Sequence, residues 1–393
     1  METPFDIKAA VAEQRDELIA LRRDFHAHPE LGLKEFRTSR IIEDYLKALG
    51  IPTKRYLETG VVGVLKGGRP GKTIMLRSDI DALPIQEETG LPFASQNPGV
   101  MHACGHDGHT AIQLVTARIL KQHQAELPGT AVFLFQPNEE DAGAELMIQA
   151  GAMDDPKPDA VIGLHVWPRI RSGKVGIIPG PMMASAYYFK ITIHGKGGHG
   201  GHPDRAVNPI DIVPQILLDI RTMLSVEFNA VLPTIVTVCK IHAGTKNIVI
   251  PETLELEGSI RCLHENDAAV RARLQELVED ICHEHHCTCE ISYKCGNTLV
   301  NNDPALARMA SKVAAELLGP ENIQSDRSCM TMGGDDFAEF MRRAPGVYYY
   351  VGSGDPEKKT DTENHNPKFL LDEDALSIGT EMQLSLTWKY LSE

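Results

Sequence analysis

Apolar side chains in the first half of the chain recur with two different spacings. Ile7, Val11, Leu18 and Leu21 share one side of a helical spiral, which predicts a helix over residues 6–24. Other apolar runs are short, continuous and bounded by glycine or charge, as buried strands are. The pattern predicts further helices at 35–49, 110–123 and 143–150, and strands at 61–65, 73–77, 131–135 and 160–164. Alternating strands and helices indicate an α/β fold with a mostly parallel sheet flanked by helices.

The pattern changes near Ala184. Strands that alternate between apolar and polar residues now surround two long helical stretches, which is typical of an α+β unit with an antiparallel sheet. The predicted strands are 187–194, 233–241, 253–262 and 288–293, and the predicted helices are 208–224 and 267–283. Helical and strand patterns resume at Pro304. We therefore expect one domain at 1–183 and 299–393, with a second domain at 184–298 inserted into it.

Length and charge narrow the class of protein. A chain of 393 residues is too long for one ordinary core, so two domains are expected. The net charge of −15 disfavours binding to nucleic acid and to anionic membranes. No apolar run approaches the roughly 20 residues of a membrane span, and no signal-peptide pattern opens the sequence. We expect a cytoplasmic protein whose eight cysteines are free thiols.

Polar residues follow three of the predicted strands. The strand 73–77 is followed by Asp79 and Asp81, the strand 131–135 by Glu139 and Glu140, and the strand 160–164 by His165. Ligands bind beyond the carboxyl ends of strands in open α/β sheets, so these side chains should share one site. If the backbone is extended at the two adjacent glutamates, their side chains point in opposite directions. One could then bind a metal while the other acts as a general base.

A dense group of metal donors precedes the helix at 110–123. Cys104 and His106 stand two residues apart and can aim sulfur and imidazole at one point. His102 and His109 flank them, and each is as consistent with a supporting or structural role as with metal binding. His365, in a polar turn far along the chain, would by itself indicate only a surface histidine.

Five motifs together resemble the M20 metallopeptidase superfamily over nearly the whole chain. Within it they resemble the branch of amidohydrolases that act on N-acyl amino acids, such as hippurate hydrolases, N-acetyl-diaminopimelate deacetylases and plant auxin-conjugate hydrolases. The motifs are RDFHAHPEL at 23–31, RSDIDALP at 77–84, MHACGHDGH at 101–109, GKGGH at 195–199 and MGGDDF at 332–337. The chain has Asp79-Ile80-Asp81 where the wider superfamily usually has His-x-Asp.

The resemblance implies a role for each candidate residue. The implied ligands of two divalent metal ions (Mn, Zn, Co or Ni) are Cys104, His106, Glu140, His165 and His365. Glu139 is the implied general base, and Asp81 the residue that orients a ligand or the base. The inserted domain is the implied lid and dimerisation domain of a homodimer or dimer-based oligomer. From it, His199 would reach the neighbouring subunit's site, and Asn247 and Arg261 would hold the substrate.

The expected activity is metal-dependent hydrolysis of the amide bond of small N-acyl amino acids. A dipeptidase or carboxypeptidase on the same scaffold is the alternative, because only the acyl side of the substrate differs. A metal-binding protein without catalysis is disfavoured by the presence of Glu139. The Cys/His-rich segment 282–295 lacks zinc-finger spacing, and apolar packing of its thiols is preferred to a second metal site. The preferred acyl group and amino acid are not encoded in any motif of the sequence.

Overall fold

A computed structural model describes residues 3–393, which form two compact units. The first comprises the chain up to Met182 together with Asn301–Met330 and Asp335–Glu393. The second comprises Met183–Val300 and Thr331–Gly334. The sequence analysis divided the domains at 183/184 and 298/299, and it did not foresee that 331–334 belong with the second unit. The roles it assigned to the two domains remain predictions.

Ten α-helices lie within residues 3–393. They are α1 (Ile7–Glu13), α2 (Arg15–Ala27), α3 (Phe36–Ala48), α4 (His106–Gln122), α5 (Ala144–Gln149), α6 (Val213–Val226), α7 (Asp267–Glu284), α8 (Pro304–Leu318), α9 (Phe337–Met341) and α10 (Asp374–Ser392). Side-chain chemistry explains where some of these helices begin. The Asp303 side chain, for example, accepts hydrogen bonds from the first free amides of α8, and Pro304 is the first residue of that helix. In this part of the chain no helix has the length and apolar character that crossing a membrane requires.

The same residues contain sixteen β-strands. They are β1 (Thr53–Tyr56), β2 (Gly60–Lys66), β3 (Arg69–Asp79), β4 (Pro128–Gln136), β5 (Ala160–Arg171), β6 (Val175–Gly176), β7 (Gly180–Met183), β8 (Ser185–His194), β9 (Gly198–His199), β10 (Thr234–Ala243), β11 (Val249–Ile250), β12 (Thr253–Cys262), β13 (Thr288–Asn297), β14 (Val300–Asn302), β15 (Ile323–Gln324) and β16 (Gly346–Gly354).

The first unit is built on an eight-stranded mixed sheet in the order β1-β2-β4-β3-β5-β16-β6-β15. Its central strands β4, β3, β5 and β16 run parallel, whereas β1 and β2 are antiparallel to their neighbours. Nearly every residue of β16 and of the second half of β4 is buried, as expected of strands that are covered on both faces. The predicted α/β class is confirmed. Because β4, β3 and β5 are adjacent and parallel, their carboxyl ends meet at one edge.

The second unit has a four-stranded antiparallel sheet in the order β10-β12-β8-β13. Helices α6 and α7 supply the apolar side chains that pack against it, including Ile216, Ile220 and Leu274. A short pair, β9 with β11, lies apart from this sheet. The predicted α+β unit with an antiparallel sheet is therefore also confirmed.

Candidate metal centre

Two parallel strands present donor side chains at their carboxyl ends, and the neighbouring strand β5, which continues past the predicted end at 164, presents one from its middle. Strand β3 ends at Asp79, two residues before Asp81, and β4 ends at Gln136, three residues before Glu139. His165 lies on β5, on the other side of β3. All of these side chains are buried or mostly buried, so the sheet edge forms an acidic, histidine-containing interior.

The loop before α4 brings a second group of donors against this edge. Gly105 adopts a positive φ of 98°, and a Cβ there would lie 2.4 Å from the Val166 side chain. Glycine thus permits the close approach that places Cys104 and His106 beside strand β5. Cys104 Sγ lies 3.3 Å from His165 Nε2.

His365 reaches the same place from a distant turn. Its backbone has a φ of 62°, and its amide donates to the carbonyl of Ala103 at 2.8 Å. The side chain of Asn364 donates to the carbonyl of Cys104 at 3.1 Å, which anchors the turn to the cysteine loop. His365 Nε2 then lies 3.3 Å from Glu140 Oε1.

These side chains form overlapping sets of potential metal ligands. Within each set the donor atoms lie within 4.8 Å of one another. The sets are Cys104 with His106 and His165; Cys104 with Glu140 and His365; and His106 with Glu139 and Glu140. Since Cys104, His106 and Glu140 each belong to two sets, the structure brings all five expected ligands and the expected base into one site.

Two of the histidine donors, His106 and His165, are each oriented by the protein through one ring nitrogen. His106 Nδ1 lies 2.9 Å from the Asp81 carbonyl and 3.2 Å from Asp81 Oδ1. His106 Nε2 is buried and has no hydrogen-bond partner among residues 3–393. Asp81 Oδ2 also accepts from the amide of Glu140 at 3.1 Å. A buried imidazole with one nitrogen held and the other free fits a metal ion, and so do the thiol and carboxylates beside it.

The two glutamates lie on a tight turn rather than on extended backbone. Residues Glu139–Asp141 form one turn of 3-10 helix, between Asn138 at φ 59° and Ala142 at φ 64°. The sequence-based picture of opposed side chains on an extended strand is therefore wrong. The 3-10 turn instead lets Glu139 and Glu140 both face His106, because the chain curves around that point.

Burial and neighbouring groups raise the pKa of several side chains in the site. Burial raises the pKa of Glu139 well above its usual range, and Asp335 and Glu140 add to the effect. Burial likewise raises the pKa of the Cys104 thiol. Hydrogen bonding to Cys104 and Glu140 raises the pKa of His365 to about 10. A divalent cation among these groups would stabilise the carboxylate and thiolate forms that burial disfavours.

The family can be established by comparison with known proteins. The model of "Peptidase family M20/M25/M40" matches residues 75–389, which is most of the chain and includes every donor described above. The chain belongs to peptidase family M20/M25/M40. Its resemblance to that family, first seen in five motifs, is thereby confirmed.

Relatives within the family carry several activity names. An N-acetylcysteine deacetylase of Bacillus subtilis (strain 168) is 38% identical over 93% of this chain and 94% of its own length. A "Thermostable carboxypeptidase 1" of Saccharolobus solfataricus is 37% identical, with 98% of each chain covered. The crystal structure of the Bacillus subtilis YXEP protein, described as a dinuclear metal binding peptidase from the M20 family, superimposes with a TM-score of 0.85. It is 35% identical and covers 97% of this chain and 99% of its own.

Three expected site residues of this M20 family chain lie in the second unit. His199 is exposed on β9, where its Nδ1 accepts from the amide of Gly201 at 3.0 Å. Asn247 is exposed in a turn, and Arg261 on β12 donates to the carbonyl of Met332 at 3.1 Å. Their roles remain predictions. In the described residues no group of metal donors involves the segment 282–295, where Cys282 and Cys287 are buried among apolar side chains.

The sequence analysis missed the residues that support the site from behind. Arg77 is fully buried and lies 2.6 Å from Asp79 Oδ2 and 2.8 Å from Asp336 Oδ1. The carboxyl group of Glu35 accepts from the amide of Asn138 at 3.0 Å, beneath the glutamate turn. Arginine and glutamate are usually surface residues, and the only sequence signal for either was that Arg77 ends a predicted buried strand and opens the motif at 77–84.

Glu35 makes the stability of the protein depend on pH. Burial raises its pKa from 4.5 to about 7, so between these values the folded chain holds a proton that the unfolded chain releases. The free energy of unfolding should therefore fall as the pH rises from about 4.5 to 7, with roughly 1–3 kcal/mol attributable to this group. In Glu35→Gln that contribution is absent. Urea unfolding of both proteins at a series of pH values measures the difference.

The exposed Glu126 provides a matched control, since Glu126→Gln makes the same chemical change outside the core. This variant should keep the pH dependence of the unmodified chain. Identical pH profiles for Glu35→Gln and the unmodified chain would contradict the assignment of that slope to Glu35.

Proposed function

We propose that this chain hydrolyses the amide bond of N-acyl amino acids, with two divalent metal ions bound per subunit. The observation that carries the proposal is the convergence of one thiol, three imidazoles and two carboxylates from distant parts of the chain at one edge of the sheet. Surface polar residues have no reason to converge in this way, whereas hydrolytic sites require it.

The donor set suits a pair of ions shared between the overlapping ligand groups. Cys104, His106 and Glu140 each belong to more than one of them, so these groups would hold two ions near each other. Thiolate and imidazole ligands favour zinc, cobalt or nickel, while the carboxylate also accommodates manganese. Bound divalent ions supply Lewis acidity, which polarises the substrate carbonyl and lowers the pKa of water.

Glu139 is the proposed general base. Its Oε2 lies 3.9 Å from His106 Nε2, close enough to the ligands to accept a proton from the attacking water. A carboxyl group that burial makes more basic can take that proton and then pass it to the leaving amine. Asp81 assists as a positioning residue, because it contacts both the ring of His106 and the amide of Glu140.

The second unit is the proposed lid and dimerisation domain. His199 is proposed to donate to the developing oxyanion in the site of the partner subunit, which gives a homodimer with two shared sites. An exposed imidazole on a short strand pair is accessible for such a contact. Asn247 and Arg261 are proposed to hold the substrate, and closure of the domain would exclude water.

A carboxypeptidase or dipeptidase activity is the second candidate. It is favoured by the relative named a thermostable carboxypeptidase, whose identity to this chain is similar to that of the deacetylase. Both activities cleave the same bond and use the same groups. They differ in the acyl side of the substrate, which is a simple acyl group in one case and an aminoacyl or peptidyl group in the other.

A substrate panel separates these candidates. We expect kcat/KM for N-acetyl amino acids to exceed that for dipeptides with the same C-terminal residue by at least about tenfold. The assay uses protein reconstituted separately with Mn²⁺, Zn²⁺, Co²⁺ and Ni²⁺. Faster cleavage of the dipeptides would favour the second candidate, and no cleavage of either class would contradict the proposed function.

Replacement of Glu139 should separate catalysis from metal binding. We expect Glu139→Gln to lower kcat by about 10²–10⁴-fold, because the amide cannot accept a proton, while two metal ions remain bound. Metal content and kcat are measured on the same preparation. Asp141→Asn removes one charge from the same turn at an exposed position, and it should leave kcat near that of the unmodified enzyme. Normal turnover in Glu139→Gln would disprove its role as base.

The role of His199 in the partner subunit can be tested by mixing two inactive variants. In a heterodimer of Glu139→Gln with His199→Ala, one site contains both an intact base and an intact donated histidine. Random exchange should therefore restore about a quarter of full activity. His202→Ala, a neighbouring exposed histidine, serves as the control and should be active by itself. An active His199→Ala enzyme, or a mixture without recovered activity, would show that His199 does not act in the partner's site.

A further inference from the structure

The imidazole of His109 lies in the first turn of α4, and both of its nitrogens are engaged by the protein. The residue is 2% exposed. His109 Nδ1 lies 2.6 Å from Asp79 Oδ1, and His109 Nε2 accepts from the amide of Val166 at 2.9 Å. A backbone amide can only donate, so Nε2 has to be unprotonated. The proton of the neutral ring is therefore on Nδ1, where it is donated to Asp79.

The backbone of Val166 connects His109 to one of the proposed metal ligands. The carbonyl of Val166 accepts from His165 Nδ1 at 2.7 Å. With its Nδ1 proton used in this way, His165 presents the lone pair of Nε2 toward Cys104 Sγ, 3.3 Å away. His109 thus holds the amide of Val166, and the carbonyl of Val166 fixes the ring of His165. The orientation of that ligand thus depends on a group that lies on a different element.

The other end of this connection is fixed by buried charge. Asp79, which accepts from His109, also pairs with Arg77 at 2.6 Å. Because Asp79 is held by Arg77 on one side and accepts from the imidazole of His109 on the other, this hydrogen bond prevents the ring from turning over.

We propose that His109 is a positioning residue that sets the direction and tautomer of His165 through the backbone of Val166, and that it is not itself a metal ligand. Its ring belongs with Asp79 and His106 to a set of donor atoms within 4.8 Å, so proximity alone would suggest a third metal position. The hydrogen bonds exclude that interpretation, because the Nε2 lone pair is already used by Val166. The inference rests on the proposed function only in that His165 binds a metal ion.

Two substitutions at His109 separate its two hydrogen bonds. Glutamine places an amide oxygen near the position of Nε2 and can still accept from Val166, whereas asparagine reaches only the position of Nδ1 and can still donate to Asp79. We expect His109→Asn to weaken Co²⁺ binding about 10–100-fold, as loss of a supporting hydrogen bond does, and His109→Gln to remain within about threefold of the unmodified chain. Both variants should still bind two ions at saturation.

The measurement is equilibrium dialysis of metal-free protein against graded Co²⁺, with the ligand-field absorption spectrum recorded at each step. His165→Ala is the matched control for loss of a true ligand, and it should bind one ion fewer. Far-UV circular dichroism and unfolding midpoints of the metal-free variants report folding separately. Should His109→Asn fail to fold, the spectrum of His109→Gln decides, because the inference requires it to match that of the unmodified protein.

Several results would overturn the inference. Loss of one ion in both His109 variants would show that the residue is a ligand. Equal Co²⁺ affinities in the two variants would show that Val166 has no part in positioning His165. An altered Co²⁺ spectrum in His109→Gln would have the same consequence. Failure of the unmodified chain to bind two ions would instead contradict the proposed function, so the two failures are distinguishable.

Discussion

The guanidinium of Arg77 lies fully buried against the carboxylates of Asp79, Asp335 and Asp336. Burial disfavours its charge, but the three carboxylates outweigh this and hold its pKa well above the usual range. Its Nε also donates to Gln136 at 2.7 Å. The ends of β3 and β4 and the segment before α9 are thereby joined at one point. Loss of the cation would leave three buried acidic groups without the positive charge that they share, at a large cost in stability.

The connections that extend from this point orient the metal donors. Asp79 accepts from His109, which in turn accepts from the amide of Val166, the residue after His165. Asp336 accepts from Gln136 and from the amide of Ala144. In His106 and His165, two of the proposed ligands, one nitrogen is held by a backbone carbonyl and the other is available to a metal. These two imidazoles therefore reach the site with tautomer and direction already set, so little conformational entropy would be lost when a metal binds.

The site combines features that oppose folding with features that favour hydrolysis. Carboxylates, a thiol and imidazoles share a mostly buried volume, and their mutual repulsion and burial raise the pKa of Glu139 and Cys104. The same properties create an affinity for divalent cations and a carboxylate basic enough to accept a proton. Metal binding and stability are thus linked, since the ions stabilise the charge distribution that the folded chain imposes.

The sequence by itself determined the local part of this site. Apolar runs defined β3, β4 and β5, and the rule that parallel strand ends share an edge placed Asp81 and Glu139 together with His165, although β5 continues beyond His165 to Arg171. The spacing of Cys104 and His106 before a helix added two more donors. These inferences succeed because strand periodicity, helix starts and metal-donor chemistry are properties of short segments.

Only the tertiary structure decided how distant residues complete it, although the family resemblance had already implied His365 as a ligand. His365 is separated from Cys104 by most of the chain, and its place depends on a positive-φ turn anchored to Ala103. Arg77, Glu35 and His109 act through buried hydrogen bonds, which no spacing in the sequence reveals. The conformation of the Glu139–Asp141 turn likewise depends on Asn138 being held by Glu35. These long-range pairs form only when the sheet and helices pack. A buried polar group needs a hydrogen-bond partner, and the packing determines which partner lies within reach.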